Sequence, residues 1–261
     1  VKAAASAVDL AARAGRGGPA RGLLVTVGAA RPGTGAGRAL PPGSRLRVHR
    51  APERPSAAVL LLHGGRADSL QPVPRLALAR LRMHPFAAQI ARRPWGRQAL
   101  VAAVRYRYRG WNGDQAHPVQ DALQALDELS ALAPGVPVLL VGHSMGARAA
   151  LAVAGADAVR GVVALAPWCP PGEPVAHLRG RAAVFLHDES DRITSAAQTW
   201  DFAHRAAAAG ADVRCVPMPN GGHAMIRGAR RWHELAADHA GAVLARTPAP
   251  HPGGAAPSGR S

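Results

Sequence analysis

The stretch 138–152, V-L-L-V-G-H-S-M-G-A-R-A-A-L-A, constrains the fold more than any other part of the chain. Four apolar residues run into Gly142-His143-Ser144-Met145-Gly146 and then into small residues, a pattern of buried strand, very tight turn and helix. Glycines two before and two after Ser144 remove the Cβ atoms that would block such a turn. The serine can then hold a strained backbone, with its hydroxyl projecting from the sheet edge. The same turn aims the first amides of the helix at that hydroxyl, so an anion forming there meets N–H donors and the positive end of a helix dipole. Ser144 is the candidate nucleophile.

Further buried strands are expected at 57–62 and 99–104, further strands at 161–166, 182–187 and 212–217, and an edge strand at 45–49. Between them the spacing predicts helices. One starts at Pro118 and stops at Pro134-Gly135, one spans 194–209 with Thr194 as cap and Gly210 as stop, and one covers 226–244. Residues 72–93 carry an interrupted helical pattern that breaks near His84-Pro85. Strands alternating with helices give an α/β fold, a mostly parallel sheet covered on both faces. Only residues 167–181 separate two late strands, which leaves no room for a large lid domain.

The expected organisation is an N-terminal segment 1–44 with a possible first strand at 23–27, one domain over 45–245, and a tail 246–261 of disorder-like composition. A chain of 261 residues, nearly half of them hydrophobic, can bury a full core as a single domain. The glycines of 31–43 fail the dinucleotide pattern, because Arg38 stands at its sixth position. Residues 1–30 show no convincing secretory pattern and no apolar stretch is long enough to span a bilayer, so a cytoplasmic protein with no membrane partner is expected. The formal charge is +16, and Lys2 is the only lysine. The excess is arginine spread over the whole chain, which attracts anions without implying a specific nucleic-acid partner. In Arg105-Tyr106-Arg107-Tyr108-Arg109, alternation puts the arginines on one side, either as a solvated strand end or as an anion-attracting rim. Cys169 and Cys215 lie in or beside apolar segments and are expected to be buried free thiols.

A serine hydroxyl needs a base, usually histidine, and the histidine wants a carboxylate to hold its tautomer. Both should sit in loops at the carboxyl ends of later strands. Of twelve histidines, His223 in Asn220-Gly221-Gly222-His223 follows the last strand and precedes the last helix. His233 and His239 lie on that helix and suit packing, and H-E-x-x-H would need histidine where Ala237 stands. Neither a metal nor a cofactor is expected. For the carboxylate, spacing leaves Asp188 and Asp191 equal. His63-Gly64-Gly65 after the 57–62 strand suits an oxyanion loop, with Gly65 N–H one donor and Met145 N–H the other.

With these residues in view, the chain over about 45–244 resembles the α/β-hydrolases. The order Ser144, Asp191, His223 matches the nucleophile, acid, base order of that fold, and Asp191-Arg192-Ile193-Thr194 looks like the family's acid loop, which favours Asp191 over Asp188. The short 167–181 connection resembles compact, lidless members such as small esterases and dienelactone-hydrolase-like proteins. The resemblance implies a serine hydrolase acting on a small carboxylic ester. The alternatives are a peptidase or acyltransferase on the same three residues, or a non-catalytic basic binding protein of this fold. Trp111, Trp168 and Met225, together with Trp95 and Met145, are candidates for the acyl pocket. Nothing in the sequence bears on oligomeric state.

Overall fold

The computed structural model describes residues 40–246. The expected strand at 23–27 and the tail beyond 246 lie outside the described residues. Seven strands, β1 (Leu46–Arg50), β2 (Ala57–Leu62), β3 (Ala99–Val104), β4 (Val138–His143), β5 (Val159–Leu165), β6 (Ala182–His187) and β7 (Asp212–Pro217), form one sheet in the order β1-β3-β2-β4-β5-β6-β7. Only β1 is antiparallel to its neighbour; the other pairings are parallel. The central strands β2 and β4 are buried along their whole length, as their unbroken apolar runs require, whereas β1 and β7 are edges with exposed positions.

Because side chains alternate along a strand, each central strand feeds two cores. Leu60, Leu62, Leu140 and Val162 face helices α3 (His117–Leu132), α4 (Met145–Val153) and α5 (Ala196–Ala208). Leu61, Leu139, Val141 and Val163 face α2 (His84–Arg92) and α6 (Ala229–Ala245), where Phe86, Ile90 and Trp232 fill the layer.

Local chemistry departs from the sequence expectation at two helix boundaries and one cysteine. Pro85 does not break a helix. It sits in the first turn of α2, where a missing N–H costs nothing, and a separate short turn, α1 (Leu78–Leu81), precedes it. The cap of α5 is Ser195, whose side chain accepts the Gln198 N–H; Thr194 is engaged elsewhere. Cys169 is buried but Cys215, on edge strand β7, is exposed; both thiols are free.

The chain runs from β2 out to β3 and then crosses back to β4 on the other side of β2. The loops leaving the carboxyl ends of β2 and β4 therefore diverge, opening the crevice where such sheets bind ligands.

Candidate active site

Ser144 lies in this crevice, between β4 and α4, with φ 55° and ψ −121°. That backbone is uncommon for a residue with a Cβ and costs on the order of 1–3 kcal/mol. The flanking glycines make it possible by letting backbones touch. A Cβ on Gly142 would stand 2.5 Å from the Ala147 Cα, and one on Gly146 would collide with the Leu62 and His63 carbonyl oxygens. The start of α4 is thus pressed against the end of β2. Among the described residues the Ser144 hydroxyl makes no hydrogen bond, and the Met145 amide, first in the helix, donates to nothing.

The loop after β2 approaches from the other side. A Cβ on Gly64 would lie 3.3 Å from the Ser144 Cβ, and one on Gly65 would strike the Arg109 carbonyl oxygen and the Met145 thioether, 2.5 Å from its Sδ. This loop is fastened to the segment after β3: Arg66 N–H donates to Arg109 C=O and Trp111 N–H to Arg66 C=O, both at 2.9 Å. The Gly65 N–H has no acceptor among the described residues. Behind it the buried His63 Nδ1 bonds the Gly64 carbonyl at 2.8 Å and its ring packs edge-on against Tyr106. Burial lowers the His63 pKa to about 4, so the ring is neutral and Nδ1–H is the donor.

The loops after β6 and β7 supply the remaining groups. His223 Nδ1 lies 2.9 Å from Asp191 Oδ2, whose side chain is fully buried. That oxygen also accepts the Thr194 hydroxyl at 2.8 Å and faces His187 Nε2 at 3.2 Å. The other oxygen, Oδ1, accepts the Ile193 and Thr194 amides. Burial pushes the Asp191 pKa up, but the Ile193 amide, His223 and Thr194 together outweigh it and hold the carboxyl below its ordinary value. Asp188 does something else. Its Oδ1 accepts the Ser190 amide and hydroxyl, and its Oδ2 accepts the Gly222 N–H at 2.6 Å, tying the acid loop to the His223 loop.

Three contributors were not anticipated. His143 Nε2–H donates to the His223 carbonyl at 2.9 Å, joining the serine strand directly to the histidine loop, and burial, then the proximity of His223, brings its pKa down to about 3. His187 receives or donates a bond at Nδ1 with Thr199, 2.8 Å away, and presents Nε2 to Asp191. Thr194 bridges Asp191 and His223 Nδ1. The available signal was a polar residue at the last position of an apolar strand: a buried histidine there must find partners.

The structure brings Ser144, His223, Asp191, Gly65 and Met145 to one edge of the sheet. It does not bring together the three pocket candidates. Trp111 and Trp168 meet edge-to-face, 6.1 Å apart, with the Arg148 guanidinium over both rings and Glu173 as its counter-ion. Met225 is buried in the core on the opposite face of the sheet, and Trp95 packs there too.

A strained serine after a central strand, at the switch point of a mostly parallel sheet covered by helices, defines an α/β-hydrolase of the serine type. More particularly, the chain belongs to the serine aminopeptidase S33 family, whose sequence profile matches residues 53–186. That match includes Gly65 and Ser144 and ends before Asp191 and His223. No curated protein sequence matches the chain. Among solved structures, one of unknown function from Agrobacterium tumefaciens, considered an α/β-hydrolase, superposes with TM-score 0.61 at 15% identity, covering 79% of this chain and 94% of that one. A serine hydrolase without a lid from Xanthomonas campestris gives 0.54 at 18% identity over 78% and 89% of the two chains. Est1E from Butyrivibrio proteoclasticus, with ferulic acid bound, gives 0.55 at 10% over 77% and 96%. These three likenesses are of fold. No described helix is long and apolar enough to cross a membrane.

Proposed function

We propose that the protein hydrolyses small carboxylic esters through an acyl-enzyme, with Ser144 as nucleophile, His223 as general base and acid, and Asp191 as the carboxylate that orients His223. The observation that carries this reading is the 2.9 Å contact of His223 Nδ1 with a buried, ionised Asp191, in loops at the same sheet edge as a strained serine. Asp191 keeps the proton of His223 on Nδ1, which leaves Nε2 free to take the Ser144 proton as Oγ bonds the acyl carbon. The carbonyl oxygen becomes an oxyanion in reach of the Gly65 and Met145 amides, each worth on the order of 3–4 kcal/mol in such sites. The C–O bond to the alcohol then breaks, His223 returns its proton to the leaving alkoxide, and water repeats the sequence to release the acid. In the resting chain the serine hydroxyl is not yet bonded to the base, as is common before substrate binds.

Esters are favoured over amides on two grounds. An alkoxide leaves more readily than an amine. An aminopeptidase must also hold an α-ammonium group, and the two buried carboxylates of the loop after β6 are both engaged, Asp188 by Ser190 and Gly222 and Asp191 by His223. The family's description as serine aminopeptidases keeps the peptidase reading as the rival. Fluorophosphonate labelling of the parent, Ser144→Ala and His223→Ala tests the mechanism, with labelling of the parent alone expected. Hydrolysis of nitrophenyl acyl esters but not of aminoacyl nitroanilides is expected, and the reverse preference would overturn the ester assignment.

A further inference from the structure

Beside the serine crevice, a second cavity of about 260 Å³ opens between β1, the 73–84 segment and the ends of β2 and β3. Arg47, Arg75, Arg80 and Arg105 line it, with His49 and His84. No aspartate or glutamate does. Among the described residues none of the four arginines has a carboxylate partner. Outside those residues the sequence holds a single acidic side chain, Asp9.

Arg47, Arg75 and Arg105 are exposed at its rim, whereas deeper polar groups are left unmet. The Arg80 Nε and His84 Nε2 atoms are buried without a hydrogen-bond partner, and so is the hydroxyl of Tyr106, a wall residue only 6% exposed. Burial, then the nearby Arg47 and Arg105, lowers the Arg80 pKa, while burial, then His84 and Arg47, lowers that of His49. Polar groups removed from water are normally paired, and like charges crowded into one cavity are normally offset.

We propose that this cavity is a binding site for a phosphate-bearing small molecule. A phosphate or diphosphate group supplies several acceptor oxygens and at least two negative charges, which suits four arginines set around one cavity better than a single carboxylate does. The volume admits such a group with a small organic remainder. The site is separate from the triad but adjoins it. His63 lines the cavity with its ring while its Nδ1–H holds the carbonyl of Gly64, next to the free amide of Gly65. A ligand seated there touches the support of the proposed oxyanion loop, whether the phosphate belongs to the ester substrate or to a separate effector.

The test uses calorimetric titration of the Ser144→Ala protein with pyrophosphate at physiological salt, which makes binding independent of whether the triad reading is right. Saturable one-to-one binding is expected. Arg80→Gln combined with Arg105→Gln should weaken it by about a hundredfold, roughly tenfold for each lost charged contact. The control removes equal charge at the opposite edge of the sheet, with Arg54→Gln and Arg97→Gln, and should change affinity less than about threefold. Equal weakening by both pairs, or no saturable binding, overturns the proposal. Should the double variant fail to fold, phenylglyoxal modification of the parent decides instead. Pyrophosphate should protect Arg80 and Arg105 but not Arg54 and Arg97, and absence of that selective protection refutes the site. Within a supported site, competition of pyrophosphate with ester hydrolysis assigns the phosphate to substrate, and a rate change without competition assigns it to a separate ligand.

Discussion

Two polar clusters lie at the carboxyl edge of this sheet, and they are built in opposite ways. Around Asp191, the Ile193 and Thr194 amides, the Thr194 hydroxyl, His187 and His223 converge on one buried carboxylate. The cavity beside β1 is lined by four arginines and three histidines with no carboxylate among its lining residues. The first cluster is complete without a ligand, so its geometry is set by folding. The second is complete only when something anionic arrives. A catalytic base must be held still before substrate binds, whereas a binding site can leave its charges unmet for the ligand to satisfy.

The sharpest way to break this contrast is to remove the charge from the completed cluster. Asp191→Asn should lower kcat by about 10⁴-fold, because an amide no longer enforces the Nδ1–H tautomer of His223. Asp188→Asn should cost less than about tenfold in kcat and instead lower stability by about 1–3 kcal/mol, measured by urea unfolding, through its bond to Gly222. Equal kinetic losses for the two would remove the distinction between them.

Next in size is the loop that stands between the clusters. Gly65→Ala drives a methyl into the Arg109 carbonyl and the Met145 thioether, so the loop must shift, and kcat for ester hydrolysis should fall by about 10²-fold with the fold retained.

A third prediction concerns acid. His63 and His143 have native pKa values of about 4 and about 3, well below that of an exposed histidine, so the unfolded chain binds protons that the native chain refuses. Their neutral forms favour the native state fully above about pH 6.5, and that contribution drains away as pH falls toward their native values, on the order of 3–5 kcal/mol for each. Asp191, with its pKa depressed, adds a loss in the same direction at still lower pH. Urea midpoints should therefore drop steeply between pH 6.5 and 4. A flat profile there would mean that these rings are not buried as described.

The smallest expected effect is that of Thr194→Val, which deletes one of several donors to Asp191. A loss of kcat of about three- to tenfold is anticipated, with stability lowered by about 1 kcal/mol.

Much of this arrangement was legible in the sequence, because local rules govern it. Uninterrupted apolar runs marked β2 and β3 to the residue, and the glycines around Ser144 announced a turn that only they can make. The choice between Asp188 and Asp191 was not legible from spacing, since both follow the same strand. It turns on which carboxylate reaches His223 and which reaches the Gly222 amide, a matter of three-dimensional placement. Thr194 reads as a helix cap by composition, yet its hydroxyl is taken by Asp191 and the neighbouring Ser195 does the capping. The basic cavity was hidden for another reason. Its arginines come from β1, the 73–84 segment and the end of β3, and in a chain where arginine is common no single one stands out. The R-Y-R-Y-R stretch illustrates the point, for Arg105 joins the cavity while Arg107 is claimed by Asp121 and Gln120 and Arg109 reaches Gln71.

The tryptophan pair has a practical use that the chemistry does not require. Trp168 donates its backbone N–H to the carbonyl of Ser144, 3.3 Å away, and its indole shares the Arg148 guanidinium with Trp111. On the proposed acyl-enzyme mechanism, a displacement of the serine's backbone during acylation reaches an indole that lies beneath that guanidinium. Stopped-flow tryptophan emission should therefore follow a single turnover in the unlabelled chain, and Trp168→Phe should abolish most of that signal.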